Sequence, residues 1–584
     1  MDVETKEHLV GIALGLGGPY YHDASACLVI DGHIVAFAEE ERFSRRKHHK
    51  DSRSCAVAAA YCLSEAGIAL ADVDEIAIAF NPTWPKPSEE CTDAELITEL
   101  LDPAYFGHHR PHRVTVIEHH LAHAASAFHP SGFEDAAVLV VDGSGDGIST
   151  TLAHGTSSGL RTIRQWPFTQ SLGWFYETVA EHLGLGDWTS SGKLMGLAGY
   201  GDSDRYPLEF LRPESGGYRL DLSQYGIRPD EQVEDQYTDL RYYRRLKAAY
   251  GIAYTELGIP SYRRSRHFDH ARGQAVTDTG FRPEHADLAA SAQRLLEQCL
   301  VELAREALAT TGSTRLCVAG GVGLNCSANG RLAALRGVQE LFVQPAAGDA
   351  GCAIGVALEV ALRRGDLTLP SPAMTTAALG PAFPDAVIRT VLTEYGLPFR
   401  DHGADLPAVV AGHLALGRVT GWFQGRMEAG PRGLGRRSIL ADPRHGETRD
   451  RINNKIKHRE PWRPLAPVML DTAAPALIGT TAPHPFMIVA RQATEDARNL
   501  IPAAVHTDGS LRPQTVALDA ADPYATLLAQ FAERTGRPAA LLNTSFNHEA
   551  EPIVCTPRDA VATFAAGPLD MLAIGPFLVA KGRP

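Results

Sequence analysis

From residue 8 to about residue 360, apolar runs of strand length alternate with stretches of helical period. Residues 8–40 read HLVGIALGL, a Gly-rich break, SACLVI, Asp31-Gly32 and HIVAFAEE, which predicts a first strand followed by two more joined by a D-G hairpin turn. Residues 136–155 repeat the theme: AAVLVVDGSGDG runs into a Gly-rich turn and ISTTLAHG follows, so a tandem duplication of one α/β unit is expected. Between them CAVAAAYCLSEAG and HHLAHAASAF read as helices and DEIAIAF as a strand, the alternation of a layered α/β domain. Ala290 to Ala309 has a long helical period and leads into LCVAGGVGLNCSANGRL, a strand, a Gly-Gly turn and a new helix.

The segment TLPSPAMTTAALGPAFP, within residues 365–385, is rich in Pro, Thr and Ala and reads as a linker. It divides the chain into expected domains at 1–370 and 384–584. The second carries the strand VTGWFQG, a basic run and a late strand AALLNTSFN.

At 584 residues, 44% hydrophobic and 21% charged, the chain is long enough for two or more globular cores. The start, MDVETKEH, lacks the basic and apolar segments of a signal peptide, and no apolar run approaches the roughly 18 residues of a spanning helix. A cytoplasmic, non-membrane protein is expected. Nine cysteines (27, 55, 62, 91, 299, 317, 326, 352 and 555) form no C-x-x-C pair and read as buried reduced thiols. A formal charge of −14 disfavours non-specific nucleic-acid binding but leaves room for a local basic pocket that captures small anions.

Gly143, Gly145 and Gly147 after the strand AAVLVVD leave backbone N–H groups open to a polyphosphate, with Asp142 and Asp146 as carboxylates for a metal counter-ion; a structural hairpin would use the same glycines. The Gly320-Gly321 turn adds a helix N-terminus, which favours an anion. Lys193 in TSSGKLMGLAGYG is a candidate phosphate cation. A P-loop is excluded: the spacing from Gly186 is one residue too long, and Leu194 stands where Ser or Thr would hold magnesium. His119 and His123 are four apart, on one face of a helix at a spacing suited to a single metal, or else to a plain hydrogen-bonded pair. Asp142 and Asp349, each on a Gly-rich turn after a strand, would complete a set suited to iron, zinc or manganese.

The set HDASA (His22 to Ala26), HHLAH, VVDGSGDG, GGVGLN and PAAGDAG resembles the tRNA threonylcarbamoyl-transferase family of the actin-like and sugar-kinase ATPase superfamily, over nearly all of residues 8–360. The resemblance implies His119, His123, Asp142 and Asp349 as metal ligands, commonly for Fe(II), with Lys193 and Gly320-Gly321 contacting nucleotide and Asn325 beside it. It also implies His22 as the group that takes a proton from an acceptor hydroxyl, a role that suits imidazole.

In the last third, GRMEAGPRGLGRRSILADPR and NNKIKHREPWRPLAP place Arg426, Arg432, Arg436, Arg437, Arg444, Lys455, Lys457, Arg459 and Arg463 close together, interleaved with Gly, Pro and apolar groups. Arginine forks match phosphate and carboxylate oxygens and can neutralise charge as an acyl phosphate reacts; about half of these cations are expected to pair with carboxylates instead. Lys457-x-Arg459 together with Ser545-x-Asn547 resembles the YrdC-like family, which makes carbamoyl-type adenylates from ATP. The whole order, through NTSFNHEAEPIV, resembles the O-carbamoyltransferases of antibiotic biosynthesis and nodulation-factor modification, with departures at Ala429 and Ala550 that bear on pocket shape.

That resemblance implies an α/β chain with a duplicated actin-like/sugar-kinase-type N-terminal domain and a smaller YrdC-like C-terminal domain. Carbamoyl phosphate and ATP, with Mg2+ or Mn2+, would meet at Arg432, Lys457, Arg459, Arg463, Ser545 and Asn547, form a carbamoyl adenylate and release pyrophosphate. The carbamoyl group would then pass, with His22 acting on the acceptor, to a hydroxyl of a small molecule such as an aminoglycoside, macrolide or ansamycin; a homodimer is compatible with this. Three rivals remain: a tRNA-modifying enzyme, against which the acidic balance weighs; a sugar-kinase-like phosphotransferase, which would release ADP; and a non-catalytic nucleotide-binding scaffold.

Overall fold

The computed structural model describes residues 11–18, 22–79, 93–107, 112–228, 231, 240–259, 261, 266–269, 274–277, 282–519 and 521–581. The N-terminal octapeptide, the first residues of the segment beginning at His8, part of the Gly-rich break after it, and Cys91 lie outside the described residues. Residues 12–17 are uniformly apolar or Gly and form a fully buried strand, β1 (Ile12–Gly17). It pairs antiparallel with β2 (Ser25–Ile30), which turns at Asp31-Gly32 into β3 (His33–Glu39), as the D-G signal predicts. On its other edge β1 pairs parallel with β4 (Glu75–Ala79), and β4 pairs parallel with β5 (Val114–Ile117), giving the order β3-β2-β1-β4-β5.

The second sheet repeats this plan. β6 (Ala136–Gly145), β7 (Ile148–Thr156) and β8 (Gly159–Pro167) form an antiparallel meander, and β6 pairs parallel with β9 (Arg315–Ala319), which pairs parallel with β10 (Glu340–Val343). The order β8-β7-β6-β9-β10 matches the first strand for strand. The expected duplication is therefore real, and the first half has the actin-like/sugar-kinase-type plan.

Two helices between the sheets fix the site. The helix His119–Phe128 buries every residue except Leu121, and it lies against the helix Cys352–Arg364. A Cβ on Gly355 would stand 1.9 Å from the Ala122 carbonyl oxygen and 2.9 Å from the Ser126 nitrogen, while His129 Nε2 meets Glu359 Oε2 at 2.8 Å further along. The paired positions rise together in number, so the helices run in the same direction at a backbone separation only glycine permits. Gly355→Ala should therefore destabilise the protein by about 1–3 kcal/mol through overpacking, although alanine is by itself the better helix former. Denaturant unfolding checks the sign.

The C-terminal domain is built on an eight-stranded mixed sheet: β11 (Phe399–Asp401), β12 (Thr420–Phe423), β13 (Arg437–Ala441), β14 (Ala466–Leu470), β15 (Gln514–Val516), β16 (Ala540–Ser545), β17 (Met571–Ile574) and β18 (Phe577–Ala580), in the order β11-β18-β17-β12-β13-β16-β14-β15. Alternate residues face opposite layers. Phe423, Ile439 and Ala441 join a core with Ile388, Val391 and Phe564 of the helices Asp385–Glu394 and Pro557–Ala566, whereas Trp422 and Leu440 join Val410, Leu528 and Phe531 of the helices Leu406–Ala415 and Pro523–Thr535.

The segment expected as a linker is a docked strap. Phe37 N donates to Leu379 O, Met374 N to Pro130 O and Gly380 N to Met427 O, and Ala377 and Leu379 are buried. Its Pro and Thr content hides this, because the strap is held by backbone bonds that leave no side-chain pattern. Ala429, Leu434, Phe486 and Ile488 of the second half enter the hydrophobic core of the first. None of the eight described cysteines forms a disulfide, and all are buried. No helix among the described residues is long and apolar enough to cross a membrane.

Candidate functional site

Val140 lies opposite Ala319 and Val318 opposite Val343, so β6, β9 and β10 end at one edge. The loops leaving it carry Asp142, Gly320-Gly321 and Asp349. Gly321 N donates to Asp142 Oδ1 at 2.7 Å, and a Cβ on Gly320, whose φ is +87°, would stand 2.3 Å from Val141 O. The Gly-Gly turn thus orients the Asp142 carboxylate. His119 opens its helix with its amide donating to Asp146 Oδ2 at 2.7 Å, so Asp146, expected beside a metal counter-ion, anchors the helix start.

His119 and His123 place their Nε2 atoms 3.0 Å apart. Asp142 Oδ2 lies 3.5 and 3.9 Å from them, and Asp349 Oδ1 3.8 and 3.6 Å. One ligand atom from each of the four predicted residues falls within 4.8 Å of the rest. Two ring nitrogens facing each other share at most one proton, and among the described residues only histidines lie within ion-pair distance of Asp142 and Asp349. This donor set fits a divalent cation: two imidazoles, two carboxylates, and a mean separation that ligand bonds of about 2.0–2.2 Å would bridge. Burial pushes the His119 ring down, but Asp349 and Asp142 outweigh it and hold it at about 9. Burial and the neighbouring His119 and His123 push His120 down to about 3; its nitrogens meet Ile148 O and Thr151 Oγ1.

His22 stands at the rim of this quartet, its Nδ1 3.7 Å from Asp349 Oδ2 and 3.1 Å from Asp23 Oδ2. Asp23 also takes His48 Nδ1 at 2.8 Å, and both imidazoles flank Trp188, with ring centroids at 4.8 and 5.2 Å. An ionised carboxylate only accepts, so both Nδ1 atoms donate and each Nε2 is left for other work. Burial lowers the His22 pKa, but Asp23 and Asp349 raise it further, to about 9.

In the second domain, residues 452–456 widen into a π-helical turn, a local form that recurs at functional sites, and Lys457 closes it with its amide bonded to Ile452 O. The wider turn aims Lys457 inward. Its Nζ meets Ser545 O and Asn547 O at 2.7 Å each and Asn547 Oδ1 at 2.8 Å, and Ser545 Oγ donates to Asn547 Oδ1 at 2.7 Å. The distant K-x-R and S-x-N patterns meet in space. Burial, then Arg459, Lys47 and Arg463, push the Lys457 ammonium well down. Burial and Arg463 bring Arg459 to about 9, and burial and Arg512 bring Arg432 to about 9. Arg432 Nε, Arg459 Nη2 and Arg512 Nε are buried without a hydrogen-bond partner among the described residues. Clustered, desolvated cations with open donors make an anion site.

The basic run divides as its interleaving suggests. Arg437 is fully buried and binds the carbonyls of Gln424, Gly425 and Pro381; Arg444 clamps Asp442, Arg436 meets Asp522, and Arg426 ties Val35 O and Leu379 O. These are structural. Arg463 pairs with Glu460 at 3.5 Å. Lys193 reaches across to the second domain, at 2.9 Å from Glu549 and 3.5 Å from Glu460, on the side of the arginines and not of the histidine quartet. Arg432 Nη2 donates to Leu324 O, beside the Gly320-Gly321 turn, so the cluster abuts the first domain there. Asn325 caps the following helix through Ala328 N and is paired with Gln293. Residues the sequence did not single out are Asp23, His48, Trp188, Lys47 and Arg512. Asp23 stood in plain view within HDASA; the others are separated along the chain and carry no spacing signal.

A duplicated α/β unit with a buried histidine–carboxylate quartet is abutted by a second α/β unit with a cluster of desolvated cations. The chain belongs to the carbamoyltransferase family: the family's N-terminal domain matches residues 12–99 and 96–358, and its C-terminal domain matches residues 411–581. It is a carbamoyltransferase. Nodulation protein NolNO of Sinorhizobium fredii is 36% identical over 97% of this chain and 80% of its own length. Nodulation protein NolO of Bradyrhizobium diazoefficiens is 38% identical over 80% of this chain and 79% of its own. An uncharacterized protein of Synechocystis is 34% identical over 98% and 97%. Full-length HypF in its phosphate- and nucleotide-bound form aligns with TM-score 0.30 at 13% identity over 61% of this chain and 56% of that one, a likeness that carries no argument.

Proposed function

We propose that the protein is an ATP-dependent O-carbamoyltransferase that works in two steps. The carrying observation is the cation cluster: Arg432, Arg459 and Arg512 hold buried donors with no partner among the described residues, beside the Lys457–Ser545–Asn547 knot. Carbamoyl phosphate and the ATP triphosphate, with Mg2+ or Mn2+, supply the anions such a cluster lacks. Water opens carbamoyl phosphate there to carbamate and inorganic phosphate, a carbamate oxygen attacks the α-phosphorus of ATP and expels pyrophosphate, and the resulting carbamoyl adenylate moves to the first domain, where an acceptor hydroxyl attacks the carbamoyl carbon and AMP departs.

Lys457 has its hydrogen bonds satisfied by the protein, so its part is to fix the Ser545–Asn547 turn and add charge, while the arginines and the Ser545 hydroxyl meet the substrates. Lys193 and Lys47 extend the positive surface from the first domain. His22, held by Asp23, takes the acceptor proton on Nε2. When bound, a divalent metal, Fe(II) or another, on His119, His123, Asp142 and Asp349 would polarise the adenylate and offset the charge of Asp349, which lets the His22 ring lose its proton. The acceptor is proposed to be a natural-product alcohol, and the domains to divide at the strap, with a YrdC-like second domain; a cytoplasmic setting fits ATP and carbamoyl phosphate. Release of AMP and pyrophosphate, dependent on carbamoyl phosphate, tests the reading; ADP release would turn it to a kinase, and transfer to tRNA alone would turn it to RNA modification.

Asp23→Asn should lower the transfer turnover by on the order of 10²-fold with KM and first-turnover pyrophosphate release little changed, because an amide cannot fix both imidazoles as proton donors on Nδ1. Transfer from radiolabelled carbamoyl phosphate to a panel of aminoglycoside, macrolide and ansamycin alcohols, measured beside pyrophosphate release, makes that separation.

A further inference from the structure

We infer that Cys352 is a ligand of the metal held by His119 and His123, taking the place of a carboxylate and giving this site a sulfur donor that a histidine-carboxylate quartet lacks. The inference rests on the metal reading of that quartet. Cys352 is the first residue of its helix, directly after the Asp349–Gly351 turn, and the close parallel packing at Gly355 and Ala122 brings it beside the start of the histidine helix. His119, His123 and Cys352 each bring a ligand atom within 4.8 Å of the others, a set separate from the one that holds both carboxylates.

A buried cysteine is ordinarily a small apolar filler, and Cys27, Cys62 and Cys317 fit that description among aliphatic neighbours. Cys352, 1% exposed, shares a core cluster with Cys27 and Cys317 but also lies within 4.8 Å of a ring nitrogen of both His119 and His123, with Asp349, Asp142 and Asp146 in the surrounding field. His123, with no exposed surface, keeps an Nδ1 without a hydrogen-bond partner among the described residues, so the polar groups here are not satisfied by one another. Burial, and then the carboxylates, favour the protonated thiol; a divalent cation reverses this, forming a metal–sulfur bond while the thiol proton leaves to solvent. With a thiolate in the set, zinc, cobalt and ferrous iron are favoured over magnesium and manganese.

Cobalt(II) tests this without any turnover. Full-length apoprotein titrated with Co(II) should bind one ion at this site and develop a sulfur-to-cobalt charge-transfer band in the near ultraviolet. Cys352→Ala and Cys352→Ser should still bind the ion, with visible d–d absorption, but lose that band, and their Kd should rise about tenfold or more, the scale seen when support is removed from a metal site. His119→Ala, which leaves every cysteine in place, should lose both signals, and circular dichroism confirms that each variant is folded. Cobalt bound in a manner that needs His119 but shows no sulfur band, in parent and Cys352→Ala alike, overturns the role of Cys352 and leaves the quartet standing. No cobalt bound by the folded parent overturns both.

Discussion

Replacing Lys457 by alanine will lower carbamoyl-phosphate-dependent pyrophosphate release by on the order of 10²–10³-fold, the cost of losing a preorganised charge in a water-poor site. The physical case has two parts. The ammonium is 2% exposed and holds Ser545 O, Asn547 O and Asn547 Oδ1 together, so its loss frees the turn that carries the Ser545 hydroxyl. It also removes an amine beside Arg459 and Arg463 that burial and those cations push towards its neutral form and that two anionic substrates would hold charged. Lys457→Arg keeps the charge but not the compact three-way grip, and should recover only part of the rate. Pyrophosphate release in the variant at the parent's rate would remove the second domain from adenylate formation. Folding is checked separately, because truncation leaves buried carbonyls without a donor.

Replacing His22 by asparagine should do the opposite. Pyrophosphate release in the first turnover stays near the parent rate, while carbamoyl transfer to any acceptor falls by about 10²–10⁴-fold, the range general-base catalysis contributes. Asparagine can still meet Asp23 with its amide but offers no titratable nitrogen to a hydroxyl. Single-turnover measurement should then find AMP formation slowed while adenylate accumulates. If Lys457→Ala and His22→Asn lose the same step, the division between two sites is wrong.

Much of this was legible in the sequence because it was written locally. The D-G turn after SACLVI, the repeated strand-and-glycine phrase at AAVLVVDGSGDG and the H-x-x-x-H spacing each report contacts a few residues long, and the duplicated sheets and the paired histidines follow from them. The two carboxylates beside the histidines were legible for a related reason: Asp142 and Asp349 both stand on turns where strands end. What was hidden depends on distance along the chain or on backbone shape. Arg512 joins Arg432 only through the C-terminal fold, Lys193 finds Glu549 across the interface, and the π-turn before Lys457 has no residue pattern to announce it. That the strap at 365–384 is docked does not show in its composition, which reports what a segment contains and not what its amides bond.

Ala429, Leu434, Phe486 and Ile488 belong by sequence to the second half and by packing to the first. The two halves therefore share one oily interior, and neither is a finished article without its neighbour. Recombination between relatives, natural or in the laboratory, cannot exchange the second half cleanly at the strap; a crossover there must carry a matched set of these apolar plugs, or the hybrid exposes a hole in one parent and a greasy knob from the other.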